Sequence, residues 1–330
     1  MQTGRGRGHA KLIAVGEHWV LDGAQALALA LPAMAVEVEL DLDPAGHPVL
    51  VQPIDTSVYL AEAAQAGAVA MATLALRQVG WQGGARVRVA SQVPLRRGLG
   101  SSAALAVALV RAAGSALARP AGDAVAVGLH AKELEDLIHG RSSGLDPAAA
   151  ASGSGGVLFC RGKVVRSLEE VHPALCQARW LLMDLGHGRP TREAIEVASQ
   201  RRAAMAADVR QALADSTSAA AVLAAKALES GDLHALAVAL EQAGRALQPL
   251  GVIDEAMQAC IDQALSAGAL AAKQTGAGLG GVILALCGDA ATAQRVAAAC
   301  RVASPTACDH WTLPVDSAPG ASLPADPSFS

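Results

Sequence analysis

Three observations predict an α+β fold of two domains. The chain has 330 residues, enough for two domains that share an interface. Strand-like alternation marks its first half, with Val36, Val38 and Leu40 on one side and Glu37, Glu39 and Asp41 on the other. Helical spacing marks its second half, where Val252/Ile253, Met257, Cys260/Ile261 and Ala264/Leu265 recur at intervals of three and four. Strands gathered first and helices gathered after do not fit a regular βαβ alternation.

The elements follow in order. Ala10–Val15 is a short apolar run that turns at Gly16. Leu27–Leu31 and Met34–Leu42 read as two strands, followed by a turn cluster from Pro44 to Pro48. Val58–Val79 reads as a helix ended by Gly80, and Arg86–Ser91 alternates as a strand. Gly98 to Ser102 opens a long Ala/Leu/Val helix reaching about Ala118. Asp123 is placed to cap a helix running to His139, and a loop follows from Gly140 to Pro147. Val157–Cys160 and Trp180–Asp184 read as strands, the second leading into a turn at Gly186–Pro190. Residues 191–266 are expected to hold three or four helices. Leu270–Lys273 and Val282–Cys287 form a hairpin around a Gly-rich turn. A helix over Asp289–Arg301 and a strand near Trp311 complete the fold. These elements place one domain over residues 1–180, a second over 181–313, and a Pro/Ser/Ala-rich tail, expected to be disordered, over 314–330.

Composition excludes several function classes. Hydrophobic residues make up 52% and charged residues 17%, which is globular rather than disordered. The net charge is -4 and no Lys/Arg run forms a stripe, so no nucleic-acid partner is expected. No window approaches the roughly 20 apolar residues of a membrane span, so no membrane association is expected and the reading is cytoplasmic. Six cysteines lack the spacing of a zinc site and read as small buried hydrophobes in a reducing compartment. Aromatics are only 2%, so Ala, Val and Leu must fill the core.

Chemistry concentrates in five segments. The first is Pro94-Leu95-Arg96-Arg97-Gly98-Leu99-Gly100-Ser101-Ser102-Ala103-Ala104. Its glycines allow backbone N–H groups close to an anion, and the helix start adds unpaired donors and a positive dipole end. The two hydroxyls suit a phosphate oxygen or a magnesium ion. It is neither a Walker A loop nor a dinucleotide fingerprint, and read alone it is also a Gly turn with Ser caps. The second segment is Lys11 through Gly23, with Gly16-Glu17-His18. The third is Lys273-Gln274-Thr275-Gly276-Ala277-Gly278-Leu279-Gly280-Gly281. The fourth is Glu135-x-x-x-His139-Gly140-x-x-Ser143-Gly144-x-Asp146, whose Glu135 and His139 share a helix face. Taken alone, Glu135 reads as a solvated carboxylate beside Lys132, Glu133 and Asp136. The fifth is Asp184 to Thr191, where the Thr191 hydroxyl suits a helix cap and a substrate contact equally.

The first segment resembles the Pro-x-x-x-Gly-Leu-Gly-Ser-Ser-Ala-Ala motif of the GHMP kinases. The second and third resemble that superfamily's other two motifs, in the same order along the chain. The fourth is similar to the Glu-x-x-x-His-Gly-Asn-Pro-Ser-Gly-x-Asp stretch of the mevalonate kinase family, and Gly16-Glu17-His18 takes the form found there. The resemblance covers about residues 10–290. It implies a two-domain GHMP kinase fold, with an N-terminal domain like ribosomal protein S5 domain 2 and a ferredoxin-like C-terminal domain. It implies a small-molecule kinase that uses ATP and Mg2+ to phosphorylate the mevalonate 5-hydroxyl. By this resemblance Asp146 and Lys11 are catalytic. Gly98, Leu99, Gly100, Ser101, Ser102, Ala103, Gly276 and Gly278 bind the nucleotide. Ser102 and Glu135 hold magnesium. Glu17, His18, Ser143, Arg189 and Thr191 border the substrate, with Arg189 and His18 as candidates for its carboxylate. A homodimer is left open.

The sequence departs from the pattern at several positions. Arg96 and Arg97 stand where Gly-Ala is common, and can reach nucleotide phosphates or be solvated. Ser142 replaces a Pro, Leu279 a Gly, and Asp22 and Gln25 replace Tyr/His and Pro. None removes a group that phosphoryl transfer needs. Two alternatives stay open: a kinase for another alcohol, such as phosphomevalonate or a sugar, and a non-catalytic nucleotide-binding protein on the same fold.

Overall fold

The computed structural model describes residues 2–53, 62–95, 97–119, 121–140, 142–153, 155–188, 191–303 and 309–314. The chain forms two compact units. The first comprises Met1–Lys11, Ala30–Leu95 and Leu99–Gly153; the second comprises Leu12–Leu29, Arg96–Gly98 and the chain from Ser154 onward. This differs from the single division at residue 180 expected from sequence. Two long strands, β1 (Thr3–Val15) and β2 (Ala26–Asp43), are each divided between the two units, and β2 changes partner along its length from β5 to β4.

In the first unit β2 pairs antiparallel with β4 (Gly84–Ser91), from Val36 opposite Ser91 to Asp43 opposite Gly84. Strand β3 (Leu50–Pro53) adds parallel to β4, and β1 pairs with β2. The alternation read from sequence is real: Val36, Val38, Leu40 and Leu42 are buried. On the other face Glu39 meets Arg5 at 2.7 Å and Arg88 at 3.1 Å. Helices α1 (Glu62–Gln78), α2 (Ser101–Ala116), α3 (Ala124–His139) and α4 (Leu145–Ala151) pack on one another. Asp123 caps α3 by accepting from the Ala126 amide at 2.9 Å, as expected.

Strand β1 is much longer than the apolar run 10–15. Its first half alternates Gly4, Gly6 and Gly8 with Arg5, Arg7 and His9. The glycines are required by packing. A Cβ built on Gly4, Gly6 or Gly8 would lie 2.1, 2.0 or 2.0 Å from the carbonyl oxygens of Ala112, Ala108 and Ala104 respectively. Strand backbone therefore lies directly on helix backbone. An Ala-rich helix permits this approach, and α2 buries Ala104, Val107, Ala108, Ala112 and Ala113 completely.

In the second unit the start of β2 pairs antiparallel with β5 (Gly156–Cys160), which forms a hairpin with β6 (Lys163–Leu168). A separate antiparallel sheet runs in the order β10 (Asp309–Pro314), β7 (Arg179–Gly188), β9 (Gly280–Cys287), β8 (Ala271–Thr275). Helices α5 (Thr191–Ala204), α6 (Ala207–Ser230), α7 (Leu233–Leu247), α8 (Glu255–Ser266) and α9 (Ala290–Ala303) complete the unit. Its core joins Leu181, Met183 and Leu185 of β7 to Met257 and Cys260 of α8 and Val296 and Cys300 of α9. The described cysteines are free. Among the described residues no helix is long and apolar enough to cross a membrane. The expected tail beyond Pro314, the residues 54–61, Arg96 and Arg189 lie outside the described residues.

Candidate active site

In the first unit the candidate residues converge. Lys11, 2% exposed at the point where β1 passes α2, places Nζ 3.0 Å from Oδ2 of Asp146. Asp146 sits in the first turn of α4, behind Gly144 in the left-handed conformation with φ 89°. The sequence reading left this stretch as a loop. Pro147 in a first helical turn is compatible with helix, because that amide has no intrahelical partner in any case.

Ser143 accepts a hydrogen bond from the Leu145 amide at 3.2 Å, and Ser142 from the Gly144 amide at 3.1 Å. The Ser142 amide donates to Asp136 at 2.7 Å, a bond that a Pro at this position could not make. The departure at residue 142 thus fixes the loop by hydrogen bonds instead of by a ring. Ser143, expected at the substrate, has its hydroxyl in this turn.

The Gly98–Ala103 segment resolves one of the sequence alternatives. Gly100, not a serine, is the cap residue of α2, and no side chain caps the helix. Ser101 and Ser102 lie inside the first turn. The first intrahelical bond runs from the Ala104 amide to the Gly100 carbonyl at 2.8 Å. The amides of Ser101, Ser102 and Ala103 are thus the donors that a helix start leaves for a ligand. Gly100 has φ 75°, and a Cβ there would lie 2.6 Å from Cγ of Lys11. Leu99 is buried, and its carbonyl accepts from the Lys11 amide at 2.9 Å. The loop therefore holds Lys11 by its backbone and gives way to its stem.

Glu135 is 5% exposed, and the Ser102 hydroxyl hydrogen-bonds its carboxylate. Burial pushes the Glu135 carboxyl above its ordinary range, and the nearby Asp146 charge adds to this; Ser102, His139 and Lys11 oppose it. Oε1 of Glu135 is buried without a hydrogen-bond partner, with His139 Nε2 at 3.8 Å. An orphaned carboxylate oxygen beside a serine hydroxyl is a fit donor set for Mg2+. That ion takes one or two carboxylates and completes its shell with phosphates and water. Among the described residues no cluster of three His, Cys, Asp or Glu side chains forms an all-protein metal cage.

The raised pKa carries a stability cost. Glu135 binds its proton more tightly folded than unfolded, so stability falls as pH rises from the ordinary carboxylate range through the raised value. Glu135→Gln should therefore raise the Tm of the ligand-free protein at mildly alkaline pH, by about 2–4 °C for each kcal/mol relieved. The gain should vanish at acid pH and magnesium-dependent turnover should fall. A Tm unchanged or lowered across the whole pH range, measured by calorimetry, would remove the buried charge from the account.

In the second unit Glu17 and His18 meet protein partners. Glu17 forms an ion pair with Lys273 in which the side chains are 1% and 0% exposed. The carboxylate, expected from sequence to border the substrate, is buried against the third motif. The motif supplied Lys273, but nothing in sequence paired it with Glu17 across 256 residues. His18 donates from Nε2 to the Ala277 carbonyl at 2.9 Å, and burial lowers its pKa to about 4. The ring, a sequence candidate for the substrate carboxylate, is a neutral imidazole near pH 7. Its backbone has φ 61° and ψ -44°. Such a conformation costs about 1–3 kcal/mol and persists only where the surroundings impose it.

Arg97, expected at phosphates or in solvent, places Nε 2.7 Å from Oδ2 of fully buried Asp184. Asp22 pairs with Nε of Arg202 at 3.2 Å. In the third motif Gly276 and Gly278 have φ 87° and 86°, and a Cβ on Gly278 would lie 2.4 Å from the Val252 carbonyl. Gly278 is therefore required by packing on Val252. Leu279, in place of Gly, adopts φ 57° and donates its amide to that same carbonyl at 2.7 Å. Thr191 begins α5, but its side chain, like Arg189, is outside what the structure describes.

Models of one family match both units. GHMP kinases N terminal domain matches residues 66–154 and GHMP kinases C terminal matches residues 224–303, together just over half of the chain. The chain belongs to the GHMP kinases. A mevalonate kinase of Aeropyrum pernix is 32% identical over 209 residues, 61% of this chain and 60% of that protein. One of Pyrococcus furiosus is 32% identical over 229 residues, 68% of this chain and 65% of that protein. The chain thus spans between 60% and 65% of the length of these curated relatives. The fold is that of the crystal structure of L. major mevalonate kinase in complex with R-mevalonate. The TM-score is 0.77 at 23% identity, covering 95% of this chain and 97% of the other.

Proposed function

We propose that this protein phosphorylates the 5-hydroxyl of mevalonate with ATP, giving 5-phosphomevalonate and ADP. The observation that carries the reading is the Lys11–Asp146 pair at 3.0 Å, in the same unit as the open helix start and the Ser102–Glu135 pair. Phosphoryl transfer needs an in-line hydroxyl, neutralised phosphate charge and somewhere for the proton to go. Asp146 orients the acceptor hydroxyl and takes its proton. Lys11 holds the Asp146 carboxylate in place through their ion pair and faces the transferring phosphoryl group. The amides of Ser101, Ser102 and Ala103 hold phosphate oxygens. Mg2+, held by Ser102 and Glu135, would neutralise phosphate charge. Positioning and electrostatics supply most of the rate.

The non-catalytic alternative is disfavoured because Lys11 is buried for the sake of one carboxylate, a costly arrangement with no value to a mere nucleotide binder. Phosphomevalonate needs further cations, and Arg97 is committed to Asp184. A coupled ADP-release assay with mevalonate, phosphomevalonate and galactose should show turnover with mevalonate alone. Faster turnover with either of the others would overturn the substrate assignment and leave the kinase chemistry standing.

A further inference from the structure

Arg202 of α5 is a buried cation that none of the sequence motifs contains. Its side chain is 8% exposed. It donates from Nη1 to the carbonyl of His18 and from Nε to Oδ2 of Asp22 at 3.2 Å. His18 and Asp22 are the two ends of one short turn, whose 3-10 helix runs Trp19–Asp22. One guanidinium therefore spans that turn from its first carbonyl to its last side chain.

The turn needs such a brace. His18 is one of four non-glycine residues with positive φ among the described residues, and its ψ of -44° places it outside the left-handed helical region. Its carbonyl also accepts from the Leu21 amide at 3.1 Å. Beyond the turn, Trp19 is fully buried and donates Nε1 to the Ala246 carbonyl at 2.9 Å. That anchors the indole but leaves the His18 peptide to Arg202. The imidazole in turn donates to Ala277 in the third-motif loop. A relaxed His18 backbone would swing the ring off that carbonyl. A rigid fork with several donors suits such a double contact, and a lysine could make only one part of it.

We propose that Arg202 is a positioning residue for the acceptor alcohol: it clamps the His18–Asp22 turn and thereby sets the His18 ring against the Ala277 carbonyl. The proposal rests on the reading that residues 16–18 border the acceptor. It also accounts for Asp22, which departs from the family pattern: the carboxylate partners a buried arginine and takes no part in choosing the substrate.

Two measurements on the full chain test this. In the first, steady-state kinetics compare wild type with Arg202→Met and Arg202→Lys. Arg202→Met should raise the KM for mevalonate roughly tenfold or more, with the KM for ATP within about twofold, and Arg202→Lys should recover part of the loss. A role confined to folding would lower Tm and the active fraction but leave both KM values alone, and that result overturns the proposal. In the second, nitrogen-15 spectra of histidine-labelled protein follow the His18 ring, assigned with His18→Gln. Wild type should show an Nε2–H imidazole that stays neutral down to about pH 4. Arg202→Met raises the His18 titration through loss of the Arg202 charge alone, so the clamp is read from the Nε2–H, which should lose its protection from solvent exchange as the ring leaves the Ala277 carbonyl. A His18 Nε2–H as protected in Arg202→Met as in wild type overturns the clamp whichever alcohol is the acceptor. Failure of wild type to phosphorylate mevalonate would instead refute the substrate reading alone.

Discussion

Asp146→Asn should fold, bind ATP and mevalonate, and lose turnover by roughly 10²–10⁴-fold, the usual contribution of a positioned general base. Asn keeps the size of the side chain and one acceptor, but neither the charge nor a site for the proton. The Lys11 ammonium, 3.0 Å away in wild type and nearly fully buried, then loses its counter-charge. Part of the loss can therefore come from a displaced lysine. Lys11→Met separates the contributions. If Lys11 acts on the phosphoryl group as well as on Asp146, the double variant should be slower than Asp146→Asn alone. Rapid-quench measurement of the chemical step gives the cleanest comparison. Near-normal turnover of Asp146→Asn would leave positioning as the whole mechanism.

Gly100→Val is expected to abolish measurable ATP binding while the protein still unfolds cooperatively. Two effects add. A β-branched residue at φ 75° is strained by about 1–2 kcal/mol or more, and the loop must distort to relieve it. The new Cβ also falls 2.6 Å from Cγ and 3.0 Å from Cε of Lys11, so the Lys11 stem must move. The prediction is therefore sharper than loss of a phosphate loop: any residual turnover at saturating ATP should also be reduced, about 10²-fold or more. Titration calorimetry with ATP and a thermal melt decide it. Unchanged ATP affinity in a folded Gly100→Val would sink the assignment of the 98–104 segment to phosphate.

What the sequence disclosed, and what it hid, divides along physical lines. Patterned surfaces were legible: the alternation of 36–42, the Asp123 cap, the helical spacing of 252–265 and the hairpin of β8 and β9 all appear as expected. Motif residues close together in the chain were legible too, because local spacing fixes which face they share. Elements without a hydrophobic signal were not. The first half of β1 alternates glycine with charge, and β6 is an exposed edge strand whose burial is mostly partial or absent. Its hairpin turns through Arg161 and Gly162 at φ 48° and 79°, a conformation that Arg rarely announces. The two strands read over Leu27–Leu31 and Met34–Leu42 are one, β2, which runs through Pro32. Long-range ion pairs were the least legible. Glu17 with Lys273, Arg97 with Asp184 and Asp22 with Arg202 bring together residues 256, 87 and 180 apart, pairings that no local spacing announces.

The glycine seam of β1 has a metrical consequence. Steps of two residues along an extended strand and of four along a helix both advance roughly 6–7 Å, so Gly4, Gly6 and Gly8 engage Ala112, Ala108 and Ala104 as a rack engages a gear. Such meshing permits no intermediate offset: the helix either sits in register or must lift off. The same strand carries Lys11 three residues beyond Gly8, and the same helix begins at Ser101. The spacing between the Lys11 ammonium and the free amides at the start of α2 is therefore calibrated by the teeth of this seam. A single methyl group at Gly6 would spoil that calibration without touching either end.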